Sequence, residues 1–154
     1  MKATLIPYQA LHRDDLYAVM ALRQEVFVVE QDCPYLDADG LDAQAHHLLM
    51  HDDHGLAAYL RIFAPGICHA THIVVGRVVT SPRIRGTGWG RPLMKRGMDE
   101  AWTLWGPHPI HISAQAHLRP YYESLGFVVN GEGYLEDGIP HLPMDCAPPA
   151  PADD

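Results

Sequence analysis

Val78-Val79-Thr80-Ser81-Pro82-Arg83-Ile84-Arg85-Gly86-Thr87-Gly88-Trp89-Gly90-Arg91-Pro92-Leu93-Met94 decides how this chain is read. The stretch begins as an extended, β-branched run, passes a proline and two arginines, and meets three glycines spaced two apart. A run of helical character follows at once. A strand that feeds a Gly-rich turn opening a helix exposes several N–H groups at the positive end of the helix macrodipole. Glycine suits such a turn because a side chain would hold a bulky anion away from those N–H groups. The expected occupant is a phosphate or pyrophosphate.

Spacing narrows the ligand. A dinucleotide fingerprint needs G-x-G-x-x-G, and here the glycines stand at 86, 88 and 90, so the third comes one place early. A P-loop needs Lys-Ser or Lys-Thr after its last glycine, and neither follows Gly90. The pattern that fits is R-x-x-G-x-G, with Arg85, Gly88 and Gly90. The plain alternative is a turn that only joins a strand to a helix.

Working outward, Ile73 to Thr80 reads as a central strand. Leu93, Met94, Gly97, Met98, Ala101, Trp102 and Trp105 give the following helix a broad apolar stripe, ended by Gly106-Pro107. Pro92 sits in the first turn, where its missing N–H costs little. Gly97 is unfavourable mid-helix by about 1 kcal/mol relative to Ala, which suggests a close approach to the sheet. Upstream, Ala3 to Tyr8 is a first strand. From Asp14 an amphipathic helix carries Leu16, Val19, Met20, Arg23, Val26 and Phe27, with its rhythm lost over residues 25–31. Asp37, Asp39 and Asp42 then mark an acidic loop that lacks the Gly and Glu positions of an EF-hand, and reads as solvated or as a wall of an acceptor cleft. His46 to Met50 and Leu56 to Phe63 form a hairpin about Asp52-Asp53-His54-Gly55. On a strand His47 and His51 stand about 13 Å apart, too far to share one ion, so they read as surface or edge histidines rather than a metal site. Downstream come a strand at Ile110 to Ala114, a short helix with Tyr121, Tyr122 and Leu125 capped by Gly126, a strand from Phe127, and a terminal hairpin from Tyr134 to Met144 folded about Glu136-Asp137-Gly138.

The 154 residues suit one domain, expected over residues 1–146, with 147–154 a Pro/Ala/Asp tail disordered by composition. The net charge of −8 argues against a general nucleic-acid binder. Three cysteines without a C-x-x-C pair argue against a disulfide framework or zinc cluster and favour a cytoplasmic setting. No signal peptide is read at the start, and no apolar run approaches the length of a membrane span. Strands alternating with helices imply an α/β chain: a mixed sheet covered by helices.

Several separated motifs now agree. Val78-x-Thr80-x-Pro82, Arg85-Gly86-x-Gly88-x-Gly90 and Tyr122-Glu123-x-x-Gly126-Phe127 resemble the acyl-CoA strand, pyrophosphate loop and C-terminal catalytic helix of the GNAT superfamily of N-acetyltransferases. Arg23-x-x-Val26-Phe27-Val28-Val29-Glu30-Gln31-x-Cys33-Pro34-Tyr35, Gly76-Arg77-Val78-Val79, Ser113-Ala114-Gln115-Ala116-His117-Leu118 and Glu136-Asp137-Gly138-Ile139-Pro140-His141 are similar to the ElaA-type branch of predicted acyltransferases. The likeness runs from about Leu16 to Met144.

The resemblance implies a central mixed sheet of six to seven strands, with helices on both faces and a splayed V between two central parallel strands. It implies an acetyl-CoA-dependent N-acetyltransferase working in a ternary complex without an acyl-enzyme, with no metal, and it is compatible with a homodimer. Acetyl-CoA would pair with backbone of Val78, Val79 and Thr80, a backbone N–H of Val79 or Thr80 polarising the thioester oxygen. Its diphosphate would rest on Gly86, Thr87, Gly88, Trp89, Gly90 and Arg91, drawn by Arg83 and Arg85. Tyr122 takes the place of the general acid, alternatively a packing aromatic. Gln115 stands where many members carry Asn, and His117 either reaches the coenzyme or caps the helix. Glu30 and His141 are both candidates for the general base. The acidic segment from Glu30 to Asp42 motivates a cationic acceptor, a small amine or a peptide amino group. The alternative is a non-catalytic acyl-CoA-binding or sensing module.

Overall fold

The computed structural model describes residues 1–151. Eight strands form one sheet: β1 (Lys2–Pro7), β2 (His46–Asp52), β3 (Gly55–Phe63), β4 (Ile73–Thr80), β5 (Ile110–Gln115), β6 (Val128–Val129), β7 (Tyr134–Glu136) and β8 (Ile139–Cys146). Their order is β1-β2-β3-β4-β5-β8-β6, with β7 also paired to β8. Every pairing is antiparallel except β4 with β5. The expected mixed sheet is therefore present, and the terminal hairpin contributes β7 and β8 as separate strands. Residues 147–151 carry no helix or strand, and the rest of the expected tail, 152–154, lies outside the described residues.

Strand alternation distributes the core. Leu48 and Leu49 are consecutive and both fully buried, but they pack in different clusters on opposite faces. One face, with Leu60, Ile62 and Ile73, receives Leu93, Met94, Met98 and Ala101 of α2 (Gly90–Trp105). The other, with Tyr59 and Val79, receives Val19, Leu22 and Val26 of α1 (Arg13–Arg23). Met94, Met98 and Ala101 follow at steps of four and three with Leu93 beside them, as a stripe facing a sheet must. Gly97 does permit the close approach: a Cβ there would stand 3.0 Å from Cδ2 of Leu60. At its end, the Gly106 N–H bonds the Trp102 carbonyl at 2.9 Å with Gly106 at φ 85°.

The loss of rhythm after α1 has a structural form. Gln24–Glu30 continues the helix in the wider π geometry, with Val26 still buried. Such segments are rare and recur near functional sites; this one delivers Phe27 and Gln31 to the cleft described below.

Two expectations are corrected. His47 is not a surface or edge histidine: it is fully buried, with Nδ1 2.6 Å from the Tyr59 hydroxyl and Nε2 2.9 Å from the Asp42 carbonyl. Burial holds its pKa below the ordinary histidine value. The acidic loop is not a solvated one either. Arg23, with no exposed surface, donates to Asp37 Oδ2 and Asp42 Oδ1, each at 2.7 Å. Arg61 donates to Asp39 Oδ1 and Asp42 Oδ1, each at 2.9 Å, and Arg77 donates to the Asp37 carbonyl at 3.0 Å. Three guanidiniums thus neutralise three carboxylates and pin the loop to α1, β3 and β4. Burial opposes the charge on Arg23, but the Asp42 hydrogen bond and the surrounding negative charge hold its pKa above the usual arginine value. The Arg61 hydrogen bonds hold Asp39 well below the usual carboxylate range.

Candidate active site

The parallel pair β4–β5 is joined only at its start, Ile73 with Ile110 and Val74 with His111. Beyond these residues the two strands diverge, and β5 keeps its antiparallel partner β8 through to Gln115 and His141. The expected V is this gap. Along β4 the register to β3 slips by one: Arg61 faces Gly76 while Tyr59 faces Val79, so Arg77 and Val78 together oppose Leu60. This is a β-bulge, with Arg77 at φ 50°.

Alternation along the end of β4 decides which amides look into the gap. Ser81 N–H bonds the Ala57 carbonyl of β3 at 2.7 Å, and antiparallel alternation then turns Val79 to β3 as well. Val78 and Thr80 are left with their N–H and C=O groups toward the opening. Of the two expected oxyanion donors, Val79 is therefore committed to the ladder and Thr80 is not.

After β4, Ser81 caps a short turn through its Oγ, and Gly86 and Gly88 take φ of 76° and 84°. Those are left-handed values that a side chain would strain. Within the loop the Thr87 N–H reaches the Ile84 carbonyl at 3.3 Å; the N–H groups of Gly86, Gly88 and Trp89 have no acceptor among the described residues. Gly90 and Arg91 begin α2, so their N–H groups are also without a helical partner. The loop's cations each rest on a neighbour: Arg83 on Asp52, Arg85 on Glu30, and Arg91 on the Ser124 hydroxyl at 2.6 Å. Glu30 accordingly faces the loop and is absent from the cleft wall.

The cleft fills the gap between β4 and β5, about 740 Å³ including its open mouth. Its lining includes apolar Val75, Val78 and Ile112, and Gln115, Tyr122, Glu136 and His141 are among its polar side chains. Tyr122 sits on α3 (Arg119–Glu123). Its carbonyl accepts from the N–H groups of Leu125 and Phe127 at 3.0 and 3.1 Å, a turn that Gly126 closes at φ 100°. The ring meets Phe127 edge-on at 5.9 Å. Tyr122 is 7 % exposed and its hydroxyl has no partner among the described residues. Burial pushes its pKa up to about 12, aided by Tyr121, so it stays a proton donor at neutral pH. Gln115, at the end of β5, lines the cleft; His117 is exposed and does not.

His141, on β8, lies opposite Gln115 of β5 and is 8 % exposed. Its Nδ1 is 2.7 Å from the Ile139 carbonyl, which can only accept, so Nδ1 carries a proton and Nε2 bears the lone pair of the neutral ring. Nε2 stands 3.3 Å from Oε2 of Glu136, and the same oxygen accepts from Ser113 Oγ at 3.3 Å. Tyr134 stacks on His141 at 16° and hydrogen-bonds Ser113. Glu136, Ser113 and Tyr134 are the members sequence reading missed. The usable signal was the two-residue turn Asp137-Gly138, which folds β7 back on β8 and sets Tyr134 opposite His141. Among the described residues no group of His, Cys, Asp and Glu is arranged to hold a metal ion.

Comparisons with known proteins agree with this geometry. Residues 17–148 match the family described as acetyltransferase (GNAT) domain. The chain is 40 % identical over 147 residues to Protein ElaA of Escherichia coli K12, covering 91 % of this chain and 95 % of that one. Among solved structures, an acyl-CoA N-acyltransferase from Pseudomonas aeruginosa aligns with a TM-score of 0.91 and 47 % identity, over 95 % of this chain and 99 % of that one. The crystal structure of Escherichia coli ElaA aligns at 0.88 with 37 % identity, over 94 % and 98 %.

Proposed function

We propose that this chain, which belongs to the GNAT acetyltransferase family in its ElaA-like branch, transfers an acetyl group from acetyl-CoA to a primary amine by direct attack in a ternary complex. Acyl transfer itself comes with the family, which sets aside a purely sensing module. The observation that carries the finer reading is the gap between β4 and β5, with free amides on one wall and Tyr122 and His141 on the other.

The residues present fit the donor. The free N–H groups of Gly86, Gly88 and Trp89, with those opening α2, suit a diphosphate. The open amides of Val78 and Thr80 suit the pantetheine arm, and Gln115 offers a further amide contact. The N–H of Thr80 or Val78 stabilises the negative charge that develops on the thioester oxygen. His141 Nε2 takes the proton that the acceptor's ammonium must lose before attack, directly or through one water. As the C–N bond forms and the C–S bond breaks, the Tyr122 hydroxyl gives its proton to the departing sulfur; the acylated nitrogen sheds its second proton to solvent, from which Tyr122 is reprotonated. Glu30, paired with Arg85 outside the cleft, serves the loop and not as base. Cys33 reaches the cleft wall, but its thiol donates to the Asp137 carbonyl at 3.2 Å, in keeping with transfer that uses no acyl-enzyme. Residues 1–146 form the catalytic unit, in the cytoplasm, where the three cysteines stay free.

Tyr122→Phe is the direct test. Loss of a positioned acid should lower kcat about 10²-fold or more, read as thiol release, with the affinity for CoA measured by calorimetry unchanged. Absence of CoA binding by the unaltered protein overturns the reading.

A further inference from the structure

The charge of the cleft points to its acceptor. Three of the residues lining it, Arg77, Glu136 and Asp137, carry formal charge at neutral pH apart from His141. The charge of Arg77 is already met inside the protein. The side chain donates to the Asp37 carbonyl at 3.0 Å, its Nε is 2.8 Å from Asp37 Oδ1, and it belongs to the group in which three arginines face three aspartates. Glu136 and Asp137 have no guanidinium or ammonium partner among the described residues, so the open cleft presents uncompensated negative charge.

Glu136 is also held in place. Ser113 Oγ donates to its Oε2 at 3.3 Å, while the side chain remains 51 % exposed; the lone pair of neutral His141 Nε2, 3.3 Å from the same oxygen, faces it as a second acceptor. A carboxylate fixed by one oxygen beside the proton acceptor, with its other oxygen open, is arranged to hold a third group. An ammonium there would sit next to the nitrogen that must receive its proton.

We propose that Glu136 is the positioning residue for the acceptor's ammonium, fixed by Ser113, and that the acceptor is a primary amine without a carboxylate on the adjacent carbon. A lysine side chain or an alkyl diamine meets that description. A free α-amino acid does not: its carboxylate would approach Glu136 and Asp137 with no free cation to receive it. This rests on the acetyltransferase reading given above and deepens it. Binding of an ammonium by a carboxylate supports KM, while proton removal by His141 supports kcat, so the two roles separate kinetically.

The test compares Nα-acetyl-lysine amide, 1,5-diaminopentane and alanine as acceptors at saturating acetyl-CoA, in the unaltered protein, Glu136→Gln and Ser113→Ala. The expected result is a kcat/KM at least tenfold higher for the first two amines than for alanine. Glu136→Gln should raise their KM tenfold or more with kcat within about threefold, and bring the alanine rate closer to theirs. Ser113→Ala should shift KM in the same direction by less. CoA affinity and melting temperature of both variants serve as the controls for folding, and neither should move. Turnover in which Glu136→Gln leaves KM unchanged, or in which alanine is preferred, overturns this proposal and leaves the transferase reading intact. Absence of thiol release with every amine, together with absence of CoA binding, overturns both.

Discussion

Two groups of acids in this protein differ in what surrounds them. Asp37, Asp39 and Asp42 lie on one loop and are met by Arg23, Arg61 and Arg77, which reach them from α1, β3 and β4. Glu136 and Asp137 lie at the tip of the β7–β8 hairpin and are met by a serine, a histidine and a cysteine. The first group has exchanged water for fixed partners and holds a loop against the sheet. The second keeps part of its hydration and its field, and so can act on something that arrives. A count of acidic residues does not separate a brace from a binding surface; the reach of the neighbouring cations does.

The comparison can be broken at its buried end first. Arg23→Ala would strand Asp37 and Asp42 without their main partner. Removing one member of a buried pair costs about 3–5 kcal/mol, the largest effect expected here, visible as a lower urea midpoint. A loss under 1 kcal/mol would mean that the loop is held by something other than these pairs.

Acid titration sharpens it. Asp39 and Asp42 have folded pKa values below those of ordinary carboxylates, Asp39 chiefly through the Arg61 hydrogen bonds, Asp42 through Arg23 against the opposing effect of burial. Their contribution is fully present above the unfolded value of about 3.9 and is lost as pH falls through their lower folded values. His47, whose folded pKa is lowered by burial, adds a loss that begins earlier, below about 6.5. Urea midpoints measured from pH 7 to pH 3 should therefore fall in two stages, and His47→Asn should flatten the first. A midpoint that rises as pH drops from 7 to 5 would contradict the burial of a neutral His47.

The smallest effect belongs to the open end. Asp137→Asn should change stability by no more than about 0.5 kcal/mol, as exposed substitutions usually do. Its melting curve should overlay that of the unaltered protein. A cost above 1 kcal/mol would show that the hairpin acids brace the fold too, and would erase the distinction.

How much of this could be read along the chain depends on distance. The strand, Gly-rich turn and helix from Val78 to Met94 are local, and so was the turn through Gly126 that sets Tyr122 in the cleft. The approach permitted by Gly97 was legible because a glycine inside an apolar helical stripe has few other uses. The arginine–aspartate group was not legible: Arg23 and Asp37 are 14 residues apart and Arg61 and Asp39 are 22 apart, with no periodic pattern linking them. The Glu30–Arg85 pair was not legible either, because the place of Glu30 in the family motif says nothing about an arginine 55 residues later. His47 misled because the strand carrying it is covered on both faces, so alternation gave no polar side on which to leave it. Val79 and Thr80 looked equivalent until the Ser81 N–H bond to the Ala57 carbonyl set which of the two faces β3.

The brevity of the β4–β5 contact has its own consequence. With two residue pairs joining them, the two halves of the sheet meet along a short spine, like the leaves of a book held at the bottom of the binding. Above it each leaf presents an inner margin of unsatisfied main-chain groups, the kind of margin that other proteins hide at the outside of a sheet. A molecule laid between the leaves would act as stitching, and its concentration would set how firmly the volume stays shut against heat and proteases.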